Sequence, residues 1–273
     1  MTNHQIDEAE VRRIMTAGLG RAELEFATSV CTPLFWVMRE ENGSVRVRNG
    51  TAFFLDAGEE VFAVTAAHVL TGLEEDRLAH TVLAVQLGDL AVDFNGAHAV
   101  IDRSEQLDIA TFRITAAEVA AIGKTVLIGS QAAWPPAPPQ QGRGVYFSGF
   151  AGADTLWHSE DEISFAAAPG SGVADMVGRR DIGTVFNREN WIDVMGLGLP
   201  PERYNFGGIS GGPMLSVIER HGIRSWALAG VIYEGPNPST DEGHAIAGFE
   251  TIRARRAHFI RPDGRLDLDL WDA

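Results

Sequence analysis

Phe206-Gly207-Gly208-Ile209-Ser210-Gly211-Gly212-Pro213 carries the densest chemical signal in the chain. A serine stands among glycines and a proline closes the run. Glycine lacks a Cβ, so it takes backbone angles that other residues avoid and lets other groups approach closely. The N–H groups of Gly208 and Ser210 can then point into one space, and two such donors beside a hydroxyl suit a developing oxyanion. Taken alone, such a run more commonly means a glycine-rich turn between two strands. It also matches the G-x-S-x-G elbow as Gly208 to Gly212. That elbow enters a helix and keeps its acid and histidine after the serine. Here Pro213 follows, then Met214-Leu215-Ser216-Val217-Ile218, which reads as a strand.

Two matching pieces lie upstream. Phe62-Ala63-Val64-Thr65-Ala66-Ala67-His68 is an apolar strand ending in small residues and a histidine. Leu107-Asp108-Ile109-Ala110-Thr111-Phe112 sets an acid at the mouth of an apolar strand. Asp108 follows His68 by 40 residues, and Ser210 follows Asp108 by 102. The order histidine, acid, serine is that of the chymotrypsin type. On the motifs T-A-A-H, D-I-A and G-x-S-G-G-P, the chain resembles the chymotrypsin/trypsin-like serine proteases, in particular their disulfide-free bacterial members. The resemblance covers roughly residues 27 to 255.

The chain has 273 residues, a formal charge of −15 and 45% hydrophobic residues, enough for two closely packed subdomains with a full core. The acidic balance argues against nucleic acid or an anionic membrane as partner. A single cysteine, Cys31, allows no intrachain disulfide, which points to a reducing, cytoplasmic setting. Met1 to Arg13 is acidic, without the apolar core of a secretory signal, and no apolar run has the length of a membrane span.

Short strands bounded by turns such as Glu41-Asn42-Gly43 and Asp56-Ala57-Gly58 fill most of the chain. The expected fold is all-β: two antiparallel six-stranded β-barrels, chymotrypsin-like, with short N-terminal and C-terminal helices. The expected division is an N-terminal helical extension over 1–26 and a first barrel over 27–125 carrying His68 and Asp108. A Pro-rich connector over 126–143 follows, then a second barrel over 144–255 carrying Ser210 and a C-terminal tail over 256–273. Gln5 to Leu19 reads as a helix, as does Ile252 to His258. Thr115-Ala116-Ala117-Glu118 has the form of a capping box. The polar run Ser171 to Arg180 fits no element.

The resemblance implies roles. Ser210 is the nucleophile, His68 its base, and Asp108 the residue that orients and stabilises the imidazole. Gly208 and Ser210 supply the oxyanion donors. Alone, His68 reads as a histidine at a strand end and Asp108 as a turn-capping carboxylate. Tyr204, six residues before the serine, would floor the substrate pocket, with Tyr233, Glu234 and Gly235 as its wall. An uncharged floor suits a small or apolar side chain, whereas Glu234 would attract a basic one. The substrate is a protein or peptide. No cofactor or metal is expected: Asp241, Glu242 and His244 cluster, but they lack the ligand set of a structural site. Ile209 stands where secreted relatives carry the aspartate that pairs with a freed N-terminus, so competence without zymogen cleavage is expected. The alternatives are a catalytically silent module that binds peptides or protein partners, and an esterase on an α/β-hydrolase fold.

Overall fold

Runs rich in β-branched and aromatic residues, broken by Gly, Asn and Asp, make strands the dominant element. The computed structural model describes residues 8–129, 134–159, 162–186, 191–196, 198–201, 204–220, 223–236 and 250–272. The first sheet comprises β1 (Cys31–Arg39), β2 (Val45–Asp56), β3 (Val61–Thr65), β4 (Thr81–Leu87), β5 (Leu90–Ala91), β6 (Val100–Ser104), β7 (Ile109–Arg113) and β8 (Leu127–Ile128). Its order is β5-β4-β1-β2-β3-β7-β6, antiparallel except for β8, which pairs parallel to β2. Then come β9 (Gly144–Phe147), a ribbon of β10 (Phe150–Trp157) and β11 (Ile163–Ala167), β12 (Gly170–Val173), β13 (Met176–Val177), β14 (Asp181–Phe186), β15 (Pro213–Arg220), β16 (Ile223–Glu234) and β17 (Glu250–Arg256). The second sheet runs β12-β9-β15-β16-β17-β14-β13, and β12 also contacts β14, so the sheet curls upon itself.

The fold is all-β, as the sequence reads, but the strand counts depart from six and six. Among the described residues the first sheet has eight strands and the second seven. The two-residue strands β5 and β8 are too short for alternation to show. Strands β12 and β13 fall in and around the unassigned Ser171–Arg180 run, where glycine and polar residues hide the pattern. The helix expected over Ile252 to His258 is a correction: most of it is β17. Ile252 and Ala254 turn inward and Arg253 outward, and the strand pairs with β14 and β16 on its two sides. Only Ala257–Phe259 forms a turn of 3₁₀ helix. The strand expected over His244 to Phe249 lies outside the described residues.

Helices are few. α1 (Glu8–Ile14), a π-turn over Met15–Leu19 and α2 (Gly20–Ser29) carry helical structure well past Leu19. Leu24 and Ala27 of α2 are buried. α3 (Ala67–Ala79) follows β3 directly, and α4 (Ala116–Ala121) starts at the expected box, where Thr115 and Glu118 cap each other. No described helix is long and apolar enough to cross a membrane.

The core has three parts. Leu34, Ala52, Phe54 and Phe112 fill the first sheet's interior, and Phe147, Ile209, Met214 and Ile232 fill the second's. Between them Phe53, Val64 and Leu107 meet Tyr146, Leu215 and Leu228. Alternate residues of β2 therefore face different clusters, Phe53 the seam and Phe54 the interior. That is why the strand reads as a continuous apolar run.

Asp76 pins α3 to the first sheet. Its carboxylate accepts from the buried Trp36 Nε1–H at 2.7 Å and from Arg48 Nη1 at 3.0 Å. Arg48 is 46% exposed, so solvent screens its share and the indole bond dominates. Asp76→Ala leaves that N–H buried without an acceptor. A loss of about 2 kcal/mol is expected, read as a lower midpoint in urea.

Candidate active site

Antiparallel register brings the acid to the histidine. Thr65 of β3 pairs with Ala110 of β7. Two residues further along, the chain on one side enters α3 and the chain on the other is at Asp108. The first N–H groups of a helix have no partner within it, and Ala66, at the N-cap, offers no side-chain cap. Asp108 supplies one from across the sheet: its Oδ1 accepts the His68 backbone N–H at 2.9 Å. Its Oδ2 lies 2.7 Å from His68 Nδ1. A carboxylate accepts only, so Nδ1 carries the proton of this bond. Asp108 has φ +53°, the one non-glycine residue with positive φ among those described. Aspartate tolerates this left-handed region better than most residues, though still at a cost.

The serine loop is held by the first sheet. The Thr51 N–H of β2 donates to Ser210 O at 2.8 Å, and the Thr51 hydroxyl donates to Gly208 O at 2.8 Å. That hydroxyl also accepts from Phe150 N at 2.9 Å. Gly211 has φ +89°, and a Cβ there would overlap Thr51 O and Thr65 Oγ1 and lie 2.9 Å from Ala66 N. The serine is therefore packed against the strand end that carries His68. Its Oγ, half-buried, lies 3.5 Å from Tyr233 O, and no hydrogen bond joins it to His68.

The Gly208 and Ser210 N–H groups each belong to a peptide whose carbonyl is fixed. Gly207 O accepts from Gly152 N at 2.7 Å, and Ile209 O accepts from Gly212 N at 2.9 Å. In a trans peptide the N–H points opposite the carbonyl, so these bonds set the directions of the Gly208 and Ser210 N–H groups. Neither of those N–H groups donates to a described residue, while the Ile209 N–H between them is bonded to Phe206 O at 3.1 Å. Ile209 is 1% exposed and packs against Gly149 and Gly235.

Tyr204 is buried edge-on against Phe206, ring centroids 4.8 Å apart. Its hydroxyl bonds to the Asp154 carboxylate of β10, and burial together with that carboxylate pushes the phenol well above its ordinary pKa. Burial, then the Asp181 carboxylate, also raises Tyr233. Glu234 is exposed and its carboxylate lies 3.5 Å from Arg253. Gly235 closes over Ile209 and Phe206. Among the described residues no group of three or more His, Cys, Asp or Glu side chains is arranged to hold a metal ion; Asp241, Glu242 and His244 lie outside them.

The structure thus brings His68 to Asp108, and the Ser210 loop to the strand end that carries His68. Thr51 and Gly152 hold the serine loop and Asn49 Nδ2 donates to Phe150 O at 2.6 Å beside it, and none of the three belongs to a site motif. Their only sequence trace is position, Asn49 and Thr51 flanking the Gly50 that precedes the histidine strand.

These sheets, joined at one buried seam, define a chymotrypsin-like all-β fold. The chain matches no protein-family model and no curated protein by sequence. Solved structures similar to it include the serine protease domain of the Sesbania mosaic virus polyprotein, at 11% identity over 83% of this chain and 93% of that one, TM-score 0.36. A second comes from work on aromatic interactions in the coupled folding and binding of the intrinsically disordered Sesbania mosaic virus VPg protein, at 13% identity over 84% and 92%, TM-score 0.39. A third is the HtrA-type protease AlgW with a decapeptide, at 13% identity over 85% of this chain but 62% of that one, TM-score 0.43.

Proposed function

We propose that the chain is a serine endopeptidase that cleaves protein or peptide substrates through Ser210, His68 and Asp108. The observation that carries this reading is the two-point grip of Asp108 on His68, at 2.9 and 2.7 Å, beside a serine loop whose Gly208 and Ser210 N–H groups are unengaged by any described residue. In this scheme the Ser210 hydroxyl turns from Tyr233 O to His68 Nε2, which takes its proton as Oγ attacks the carbonyl carbon. Apo sites often hold such pairs loosely. The two N–H groups receive the oxyanion. The C–N bond breaks as Nε2 returns the proton to the amine, and water then repeats the cycle on the acyl-enzyme. The chemistry calls for no metal. Burial of Ile209 supports a loop that is formed without a carboxylate–ammonium pair.

A silent binding module is the second reading, favoured by the absent Ser210–His68 hydrogen bond. A fluorophosphonate probe separates the two. Labelling on Ser210, lost in His68→Ala, supports the hydrolase; no labelling of folded protein supports the module.

Tyr204 brings no charge of its own to the expected pocket floor, and the exposed Glu234 carboxylate is shared with Arg253 at 3.5 Å. Cleavage of a peptide library is expected after small or apolar residues. A profile dominated by Arg or Lys would overturn this part of the reading.

A further inference from the structure

Arg255 of β17 is the most deeply buried cation among the described residues, at 7% exposure, and none of the site motifs includes it. Its Nε donates to Leu107 O at 2.8 Å. Its Nη1 meets Asp181 Oδ1 at 2.5 Å, and its guanidinium lies 4.8 Å from the Tyr233 ring and 4.9 Å from the Trp271 ring.

The Leu107 carbonyl belongs to the peptide that leads into Asp108. Rotation between that peptide plane and the Asp108 Cα is the φ angle that stands at +53°. A guanidinium locked on this carbonyl fixes the plane and so holds the aspartate in its left-handed turn, with one oxygen on the His68 N–H and the other on Nδ1. The same guanidinium covers the ring of Tyr233, whose carbonyl receives the Ser210 hydroxyl. Both sides of the site thus rest on one buried cation, sealed by the C-terminal Trp271. Trp271 is itself tied down, since its carbonyl accepts from Arg180 Nε and Nη2 at 3.0 and 2.8 Å.

We infer that Arg255 is a positioning residue for Asp108, clamping the Leu107–Asp108 peptide so that the acid can orient His68. The inference deepens the hydrolase reading and rests on it only for its kinetic arm.

Its test is the low-field proton resonance of the His68 Nδ1–H···Oδ2 bond, assigned in ¹⁵N-histidine-labelled protein by its loss in His68→Ala. Arg255→Met keeps the stem volume and removes the donor. The resonance is expected to disappear, and kcat to fall roughly 10- to 100-fold with KM within twofold, as for a small misplacement of reacting groups. Asp181→Asn removes the ion pair but keeps the grip on Leu107, so it should retain the resonance even if its melting temperature drops. An unchanged resonance in folded Arg255→Met overturns the proposal. So does loss of the resonance in Asp181→Asn, or failure of Arg255→Met to fold, either of which would make Arg255 a purely structural residue. If the wild-type protein resists the fluorophosphonate, the hydrolase reading falls while the resonance still decides the role of Arg255.

Discussion

Replacing Ser210 by alanine is expected to lower kcat for peptide or ester substrates by about 10⁶-fold, the scale seen when the nucleophile of such a unit is removed. His68→Ala should do nearly the same, because the members act together. Stability should stay within about 0.5 kcal/mol of wild type, since Ser210 is half-buried and its hydroxyl makes a single hydrogen bond to the described residues, at 3.5 Å. Steady-state kinetics with a nitrophenyl ester, alongside a thermal melt, reads both quantities. Turnover in purified Ser210→Ala protein comparable to wild type would remove Ser210 from the chemistry.

Gly211→Ala should damage the fold more than any other single methyl group discussed here. The glycine has φ +89°, and the added Cβ would run into Thr51 O, Thr65 Oγ1 and Ala66 N. Two of these three are backbone atoms, which no rotamer change relieves. Left-handed strain of about 1–2 kcal/mol adds to overpacking of about 1–3 kcal/mol, so a loss of about 3 kcal/mol or more is expected. Gly123→Ala is the control. Its φ is +69° but nothing lies within 4 Å of the new atom, so only the strain term applies. Chemical denaturation of the two variants checks the difference, and equal losses would mean that the seam around Gly211 yields. In folded Gly211→Ala, turnover should fall about 100-fold, because a shift of about 1 Å at reacting groups costs that much.

His68, Asp108 and Ser210 stand out in the sequence because each sits in a short motif of restricted residue types; the structure sets Asp108 against His68, while the Ser210 hydroxyl rests near Tyr233 O. The strands were legible where apolar runs were long enough. α3 was not, since its N-terminus lacks a local cap and is completed by Asp108, 40 residues away. β17 read as a helix because the apolar–polar alternation Ile252-Arg253-Ala254-Arg255 is only four residues long before Arg256 breaks it, and the partners that bury Arg255, Leu107 and Asp181, are distant in sequence. Thr51 gave only its place in the Gly50 to Phe54 run, ahead of the histidine strand. A threonine in a strand is ordinary, and its bonds to Gly208 and Ser210 exist only once the two sheets meet.

Those Thr51 bonds have a consequence for when the molecule becomes able to act. The serine loop takes its shape from the opposite half of the protein, and neither half alone holds a complete set of donors, acid and nucleophile. The half with His68 and Asp108 precedes the serine loop in the chain, and the loop takes two of its bonds from it. On the hydrolase reading, competence is then a property of the docked pair. A chain still emerging from the ribosome, or one whose seam has been pried open, loses its cutting power together with its architecture.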